Sequence, residues 1–199
     1  MLSANNLLKP QDGRPVTIPT QDMVLGSYYL TLTKPGDKGE GKVFTSPDEA
    51  IMAYSNSAVT LHAPIKVRVS KKIDGEIRHK IVEATVGQII FNENLPQDLG
   101  FVDRSNPDKA LDYEVTFLVD KSALGKIVDR CIRTHGSTET AQVLDDIKAL
   151  GFKYSTQGAI TISVSDMEIP DAKKELLAQA EKEVDRITKQ YKRGLVSDE

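Results

Sequence analysis

The chain has 199 residues, of which 39% are hydrophobic and 28% are charged, and its 26 basic and 29 acidic side chains give a net charge of −3. This length suffices for one large domain or two small ones, and the near balance of charge argues against a free-standing nucleic-acid-binding protein, which usually carries a basic excess. A single cysteine excludes a disulfide framework, and no apolar run approaches the roughly 20 residues of a membrane span. The sequence therefore predicts a soluble, cytoplasmic protein of mixed α and β structure.

The first part of the chain predicts a short strand followed by a helix. Val16 and Ile18 alternate with a threonine and are followed by Pro19, which is typical of a short strand. The helix is expected to begin with Thr20 as its N-cap. Gly26 lies inside this helix, where a glycine costs about 1 kcal/mol relative to alanine. Close approach of a neighbouring backbone is one explanation for a glycine at this position.

The next helix has a strong start signal. Ser46 is expected to cap it, Pro47 occupies the first helical position, and Glu49 can close a capping box. The helix is predicted to run to about Asn56.

The middle of the chain predicts a β-hairpin and a third strand. Apolar and polar residues alternate over 65–70, which is typical of a strand with one solvent-exposed face. Asp74-Gly75 forms the predicted turn, and residues 77–82 return. Val86–Phe91 is more apolar and is predicted to be a buried third strand, whereas residues 92–116 are predicted to be mostly loop.

Two helices are predicted in the second half of the chain. The first begins at Asp120 or Ser122 and ends at His135-Gly136. The second runs over 138–150 and is expected to stop at Gly151.

Beyond a strand predicted over 160–164, the composition becomes that of one long helix. Residues 171–193 contain neither glycine nor proline, and the helix would be about 35 Å long. Its apolar residues recur every three or four positions, namely at Leu177, Ala180, Val184, Ile187 and Tyr191. This stripe needs a partner helix, and Gly194-Leu195 begins a turn, so a helical hairpin with only its first arm is expected. The charged face is interpreted as solvated in preference to a nucleic-acid-binding stripe, with a protein-docking surface near the tip as a third option.

Catalytic motifs are missing from the sequence, which contains no GxGxxG, GxxxxGK[ST], HExxH or GxSxG. His62, His79 and His135 are far apart in the chain and are interpreted as solvated or capping residues rather than metal ligands. The carboxylate pairs Asp48-Glu49 and Asp145-Asp146 are adjacent in sequence, so on a helix they point to different faces and disfavour a paired acid/base site.

Two further features have competing interpretations. Cys131 lies on an apolar helix face, which favours a buried thiol over a nucleophile. Gln21-Asp22 is the one polar pair whose position suggests a role beyond the helix, although helix capping is the favoured interpretation on physical grounds alone.

Five motifs in one order resemble the β′ subunits of bacterial RNA polymerases. The stretches are MLSANNLLKPQDGRPVTIPTQDMVLGSYYLT, then GKVFTSPDEAIMAY, then LHAPIKVRV with TVGQIIFNENLP, then TAQVLDDIKALGFKYSTQGAITISVSDMEIP, and then EKEVDRITKQYKRGLVSDE. They cover essentially the whole chain and are together far more specific than any single short pattern. One departure is Gln88, where the family usually has arginine.

The resemblance implies an α+β fold. Residues 1–165 would form a mixed pore domain of short strands and helices, and residues 166–199 would begin the funnel domain with the first rim helix, one long helix of an incomplete helical hairpin. In that family this region lines the secondary channel, through which nucleoside triphosphates enter and backtracked RNA leaves. The rim helices dock channel-entering proteins such as Gre-type cleavage factors. The implied partners are the β, α and ω subunits, the rest of β′, the DNA template, RNA and nucleoside triphosphates, with no membrane.

The implied reaction is that of DNA-directed RNA polymerase, a nucleotidyl transfer in which the RNA 3′-hydroxyl attacks the α-phosphate with the help of two Mg²⁺ ions. The aspartate triad that holds Mg²⁺ in the family has no counterpart in this sequence. The chain alone is therefore expected to be inactive, to bind no cofactor and to contribute no catalytic residue or metal ligand.

The resemblance also assigns candidate site residues by position. Gln21 and Asp22 in PTQD, and Asn5 and Asn6 in SANN, fall where the family lines the pore near the active centre. The tip of the long helix matches the edge of the factor-docking surface, with Leu195, Val196, Ser197, Asp198 and Glu199. Two alternatives stay open: a free-standing, non-enzymatic module that dimerises through helix 171–193, and an unrelated hydrolase using histidine and aspartate, for which no motif is present.

Overall fold

The computed structural model describes residues 6–73, 76–106 and 108–196, and the chain divides into two compact units, Met1–Ile160 and Thr161–Glu199. The first unit contains, in chain order, α1 (Asp22–Thr31), β1 (Val43–Phe44), α2 (Pro47–Ser55), β2 (Pro64–Ile73), β3 (Glu76–Thr85), α3 (Val86–Glu93) and α4 (Lys121–Gly158). The second unit contains a short 3₁₀ helix (Val164–Asp166) and α5 (Lys173–Lys192). The predicted α+β class with a long helix is confirmed.

The sheet has the strand order β1–β2–β3, with β1 parallel to β2 and β2 antiparallel to β3. Ile65 and Val67 are buried whereas Lys66 and Arg68 are exposed, which confirms a strand with one exposed face. The two long strands have 10 residues each, so the hairpin is confirmed. Its predicted turn, Asp74-Gly75, lies outside the described residues.

The third strand predicted over 86–91 is wrong, because this segment is helix α3. Its start is fixed by a complete capping box: Gln88 N donates to Thr85 Oγ1 and Thr85 N donates to Gln88 Oε1, each at 3.1 Å. The helix is short and buried on nearly all sides, so its brief apolar run resembles a buried strand in the sequence.

The contact between α1 and α4 is made by two glycines. A Cβ atom built on Gly26 would lie 1.8 Å from the carbonyl oxygen of Gly151, and one built on Gly151 would lie 2.6 Å from Met23 Cα. The expectation of a close backbone approach at Gly26 is confirmed. The expectation that Gly151 ends its helix is wrong, since α4 continues to Gly158 and Gly151 serves the helix contact instead.

Helix α4 is interrupted at the predicted position. Gly136 has φ 78° and ψ −172°, which is outside the helical region and favours glycine. Thr140 Oγ1 donates to the Gly136 carbonyl at 2.7 Å, so the second stretch starts immediately beyond the break. The predicted helix end at His135-Gly136 is confirmed as a kink within α4.

The two predicted N-caps have different outcomes. In α2, Ser46 Oγ accepts from Glu49 N at 3.2 Å, as predicted. Glu49 does not close the box onto Ser46, because its Oε2 accepts from Thr45 N and Thr45 Oγ1, each at 2.6 Å. In α1 the capping position is Gln21, not Thr20, because the helix begins at Asp22.

Two predicted short strands are absent from the described structure. The Val16–Ile18 segment forms no strand, and the neighbouring Pro15 only makes an isolated bridge with Leu8. The prolines on either side of the segment offer no N–H for a ladder. Residues 160–164 alternate as a strand would but pair with no strand in the described part of the chain, and their apolar side chains are exposed.

The long helix of the second unit ends as the sequence predicts. Gly194 has φ 71°, and Leu195 N donates to the Gln190 carbonyl at 3.1 Å, which is typical of a glycine-terminated helix. The predicted apolar stripe is exposed along its length. Among the described residues, no helix is long and apolar enough to cross a membrane.

We expect Gly26→Ala to destabilise the first unit by about 3 kcal/mol or more, because the new methyl group would overlap the Gly151 carbonyl. Gly125→Ala is the matched control, since it also lies within a helix but its Cβ would meet nothing closer than Ile18 Cδ1 at 3.7 Å. The control should gain up to about 1 kcal/mol from helix propensity. Urea unfolding followed by circular dichroism measures the stability change in each variant. Equal changes in the two variants would contradict the close contact between Gly26 and Gly151.

Candidate functional site

The N-terminus of α1 positions the predicted pair Gln21-Asp22. Gln21 has φ 51° and ψ −123°, a conformation that costs a non-glycine residue about 1–3 kcal/mol. Its carbonyl oxygen accepts from Val24 N and Leu25 N, each at 3.0 Å, while its side chain makes no capping hydrogen bond. The capping interpretation is therefore wrong for the Gln21 side chain. Asp22 lies in the first turn, where a negative charge is favourable.

A cavity of about 400 Å³ lies next to this helix start. The N-terminal segment, α1 and α4 supply its wall, which consists of Leu7, Thr17, Ile18, Pro19, Met23, Ala141, Leu144, Asp145 and Lys148. Leu7 directly follows Asn6, and Pro19 and Met23 flank Gln21-Asp22 on either side. The structure thus brings two segments with predicted site residues to one cavity.

The predicted site residues are placed as follows. Asn6, Gln21 and Asp22 are exposed in the first unit, and Leu195 and Val196 are exposed in the second. Asn5, Ser197, Asp198 and Glu199 lie outside the described residues. The functional roles of all these residues stay predictions.

Gln88 is a buried structural residue. Besides closing the α3 capping box, its Nε2 donates to the Thr116 carbonyl at 3.0 Å and to Thr33 Oγ1 at 3.4 Å. An arginine has no acceptor for Thr85 N, so the same box could not form with an arginine at position 88.

A buried polar scaffold that the sequence analysis missed orders the loop between α3 and α4. Asn92 Nδ2 donates to the Val115 carbonyl at 2.7 Å, and Val115 N donates to Asn92 Oδ1 at 3.0 Å. The asparagine therefore pairs with the loop backbone in the manner of a strand neighbour. A polar residue within the apolar run of α3 was the available sequence signal.

Glu114 anchors the other end of this loop. Its side chain is fully buried, and its Oε2 accepts from Phe101 N at 2.7 Å and from Val102 N at 3.2 Å. Arg104 Nη2 donates to Oε1 at 3.1 Å. The loop 92–116, predicted from its weak pattern, is thus irregular in its backbone path yet ordered by a buried charge, and no local sequence signal marks it.

The three histidines lie in separate places. The closest polar contacts are His62 Nε2 to the Tyr29 carbonyl at 2.7 Å, His79 Nδ1 to Ser70 Oγ at 2.6 Å, and His135 Nε2 to Asp98 Oδ1 at 2.7 Å. Within the described ranges, no three histidine, cysteine, aspartate or glutamate side chains come together as metal ligands.

Cys131 lies in the core, as predicted from its apolar helix face. Burial is the main cause that raises the pKa of its thiol. The protonated thiol is a poor nucleophile, so Cys131 acts in this structure as a packing residue.

Sequence comparison identifies the class of protein to which this fold belongs. The profile of the family RNA polymerase Rpb1, domain 3, matches residues 6–167, and the chain therefore belongs to this family. Over all 199 residues it is 64% identical to the DNA-directed RNA polymerase subunit β′ of Acetivibrio thermocellus, 62% identical to that of Caldicellulosiruptor saccharolyticus and 59% identical to that of Clostridium botulinum. The resemblance to bacterial β′ subunits is confirmed. The chain spans 17% of the length of each of these curated relatives.

We expect Glu114→Gln to destabilise the first unit by about 3 kcal/mol, because an amide NH₂ would replace an oxygen that accepts from a backbone N–H or from Arg104. Asp112→Asn is the control, since it changes a carboxylate two residues away whose ion pair with Lys80 is partly exposed, and it should cost less than about 1 kcal/mol. Guanidinium unfolding of both variants tests the difference. Similar losses of stability in the two variants would show that burial does not determine how much Glu114 contributes to the stability of the first unit.

Proposed function

We propose that the chain is the part of a bacterial RNA polymerase β′ subunit that lines the secondary channel and begins the rim helices. In this assignment residues 1–165 form the pore domain and residues 166–199 begin the funnel domain. The observation that carries the proposal is the identity of 64% to a β′ subunit over the full 199 residues. The enzyme would be cytoplasmic and would act on a DNA template, RNA and nucleoside triphosphates, with the β, α and ω subunits and the rest of β′ as partners.

The start of α1 is the proposed inner wall of the channel. Gln21 and Asp22 are exposed and lie between Pro19 and Met23, and Asn6 precedes Leu7. Pro19, Met23 and Leu7 line one cavity, so the three candidate residues lie next to its wall in the chain. The backbone of Gln21 is held in an unfavourable conformation by the helix that follows it, and such conformations concentrate at functional sites. These features support a role for Gln21 in contacting nucleotides or RNA in the channel; Asn5 is assigned to the same wall by its position in the sequence.

The proposed contribution of the chain to nucleotidyl transfer is positional. Two Mg²⁺ ions in such an enzyme need several carboxylate ligands, and the described residues bring no such group together. We assign the ions to other parts of the polymerase because the family's aspartate triad has no counterpart in this sequence, and we expect no nucleotide polymerisation by this chain alone.

The proposed rim helix is α5. Its apolar stripe is exposed and its C-terminus turns at Gly194, which suits the first arm of a helical hairpin whose second arm covers the stripe. The tip beyond the turn exposes Leu195 and Val196. We assign this tip, with Ser197, Asp198 and Glu199, to the edge of a docking surface for Gre-type channel factors.

The exposed stripe also favours a second candidate, a module that dimerises through α5. We expect the isolated chain to be poorly stable or to aggregate through its exposed apolar surface, without forming a discrete dimer in sedimentation experiments. In complete β′, Val184→Asp should make α5 sensitive to protease, because a charge in the stripe would oppose the packing of the second arm. Lys182→Asp, on the charged face, is the control. Concentration-dependent association that Val184→Asp abolishes and Lys182→Asp preserves would instead support the dimeric module.

Gln21→Ala in complete β′ should raise the nucleoside triphosphate concentration for half-maximal elongation by about three- to tenfold, the effect of losing one hydrogen bond. Gln11→Ala is the control, since Gln11 is also an exposed glutamine but lies in a turn away from the start of α1. Single-nucleotide addition by reconstituted polymerase provides the measurement. Unchanged nucleotide dependence in Gln21→Ala would contradict the assignment of Gln21 to the channel wall.

A further inference from the structure

The stretch from Ile162 to Ile169, which we call the apolar segment, exposes four large apolar side chains close together in the chain. Ile162, Val164, Met167 and Ile169 are 78%, 86%, 68% and 71% exposed. Single exposed apolar residues are common on protein surfaces, but a cluster of this density is typical of a surface that another group covers.

The backbone of the apolar segment is fixed by a complete capping box on the short 3₁₀ helix. Ser163 Oγ accepts from Ser165 N at 3.2 Å, and Ser163 N donates to Asp166 Oδ2 at 2.8 Å. Asp166 N donates to the Ser163 carbonyl at 3.1 Å, and Met167 N donates to the Val164 carbonyl at 3.3 Å. The segment is therefore an ordered turn, and a partner that binds it does not have to order it first.

Three of the four apolar side chains lie on one side of this turn. Ser163 has an extended backbone, with φ −112° and ψ 166°, so Ile162 and Val164 on either side of it point in the same direction. Val164 and Met167 are three residues apart across the 3₁₀ turn, and side chains at this spacing eclipse each other. Ile162, Val164 and Met167 thus form one continuous apolar face.

The composition around this face favours a protein partner over a nucleic acid. Residues 161–172 include Asp166, Glu168 and Asp171 but no lysine or arginine, so a phosphate backbone would meet only negative charge. The same residues include no Phe, Tyr or Trp on which bases could stack. The partner is therefore expected to be a protein segment with apolar side chains.

The direction of α5 determines which protein segment comes closest. The Pro170 carbonyl accepts from Lys173 N at 3.0 Å, so the apolar segment leads directly into α5, whose first turns expose Leu176 and Leu177. The helix has 20 residues, a length of about 30 Å, and the chain turns at its far end at Gly194. An arm that covers the stripe back to Leu177 therefore ends near the start of α5, where the apolar segment joins it.

We propose that the apolar segment is covered by the stretch of complete β′ that follows the second arm of the α5 helical hairpin. The return along α5 takes about 20 residues, so with a short connecting turn the covering stretch begins roughly 25 residues beyond Gly194. Because it is tethered to the hairpin, this stretch has a high effective concentration at the apolar segment, an advantage that a separate subunit lacks. This inference rests on the proposed function, because the second arm belongs to the proposed rim hairpin.

Site-specific photo-crosslinking in reconstituted core polymerase tests the proposal. With Val164 of complete β′ replaced by p-benzoyl-phenylalanine, irradiation should join position 164 to residues roughly 25–45 beyond Gly194, as mapped by mass spectrometry. The same probe at Val184, within the stripe, should instead mark the second arm itself, roughly 5–20 residues beyond Gly194. The proposal is overturned if position 164 crosslinks to nucleic acid, to another subunit, to a different part of β′ or to no macromolecule.

The result at position 184 separates this inference from the proposed function. If position 184 marks the second arm and position 164 does not mark the stretch that follows it, only the covering of the apolar segment is refuted. If position 184 does not mark the second arm either, the rim hairpin is refuted, and with it the proposed function of residues 166–199.

A pair of matched variants tests whether the apolar face itself makes the contact. With the probe moved to Ile162, Val164→Asp should lower the crosslinking yield by at least about fivefold, because the covering stretch would bury the new charge. Ser165→Asp is the control, since Ser165 is also exposed but points away from Val164 in a turn of three residues, and it should leave the yield unchanged. Equal yields from the two variants would overturn the role of the apolar face. Elongation measured on each preparation establishes that the polymerase has assembled.

Discussion

The fold of the first unit depends on the absence of two side chains where α1 crosses α4. Gly26 and Gly151 let the two backbones touch, and on α1 the Leu30 carbonyl meets a third glycine, since a Cβ on Gly87 would lie 1.8 Å from that oxygen. Helix α1 is therefore held between α4 and α3 by direct contact with its backbone. Because interiors are densely packed, such contacts leave little freedom for the helix to slide. The position of its N-terminus, and hence of Gln21, follows from these contacts.

Buried polar groups extend this constraint to the loop that precedes α4. Val119 N donates to Thr31 Oγ1 at 2.9 Å, and Thr31 Oγ1 donates to the Ser27 carbonyl at 2.8 Å, so the last turn of α1 also fixes the entry to α4. Asn92 and Glu114 hold the rest of the loop. Buried hydrogen bonds of this kind specify one arrangement because each unsatisfied group would cost about 1–3 kcal/mol. Side chains of both α1 and α3 thus hold the loop that leads into α4.

The sequence predicted those elements whose signals are local. Ser46 with Pro47 marks the start of α2, the alternation over 65–70 marks the hairpin, and an uninterrupted run of helix formers marks α5. It failed where a residue serves a distant neighbour. Gly151 resembles a helix stop until α1 is placed against it, and the apolar run of α3 resembles a strand until burial on all sides is known. The buried role of Glu114 depends on Arg104 and on backbone groups that are brought to it by the fold, so no window of sequence contains it.

The candidate site also combines a feature that neighbouring residues explain with one that they do not. From residue types alone, Gln21-Asp22 at a helix start is most simply a cap, and the sequence match to β′ subunits was needed to suggest a channel wall. The structure removes the simpler explanation for Gln21, because its side chain makes no capping bond although its backbone occupies the capping position. A glycine there would relieve the backbone strain, yet this position holds a glutamine whose side chain makes no capping hydrogen bond. A glutamine at this position is accounted for if its side chain binds a partner outside the helix, and the proposed channel-lining role would provide such a partner.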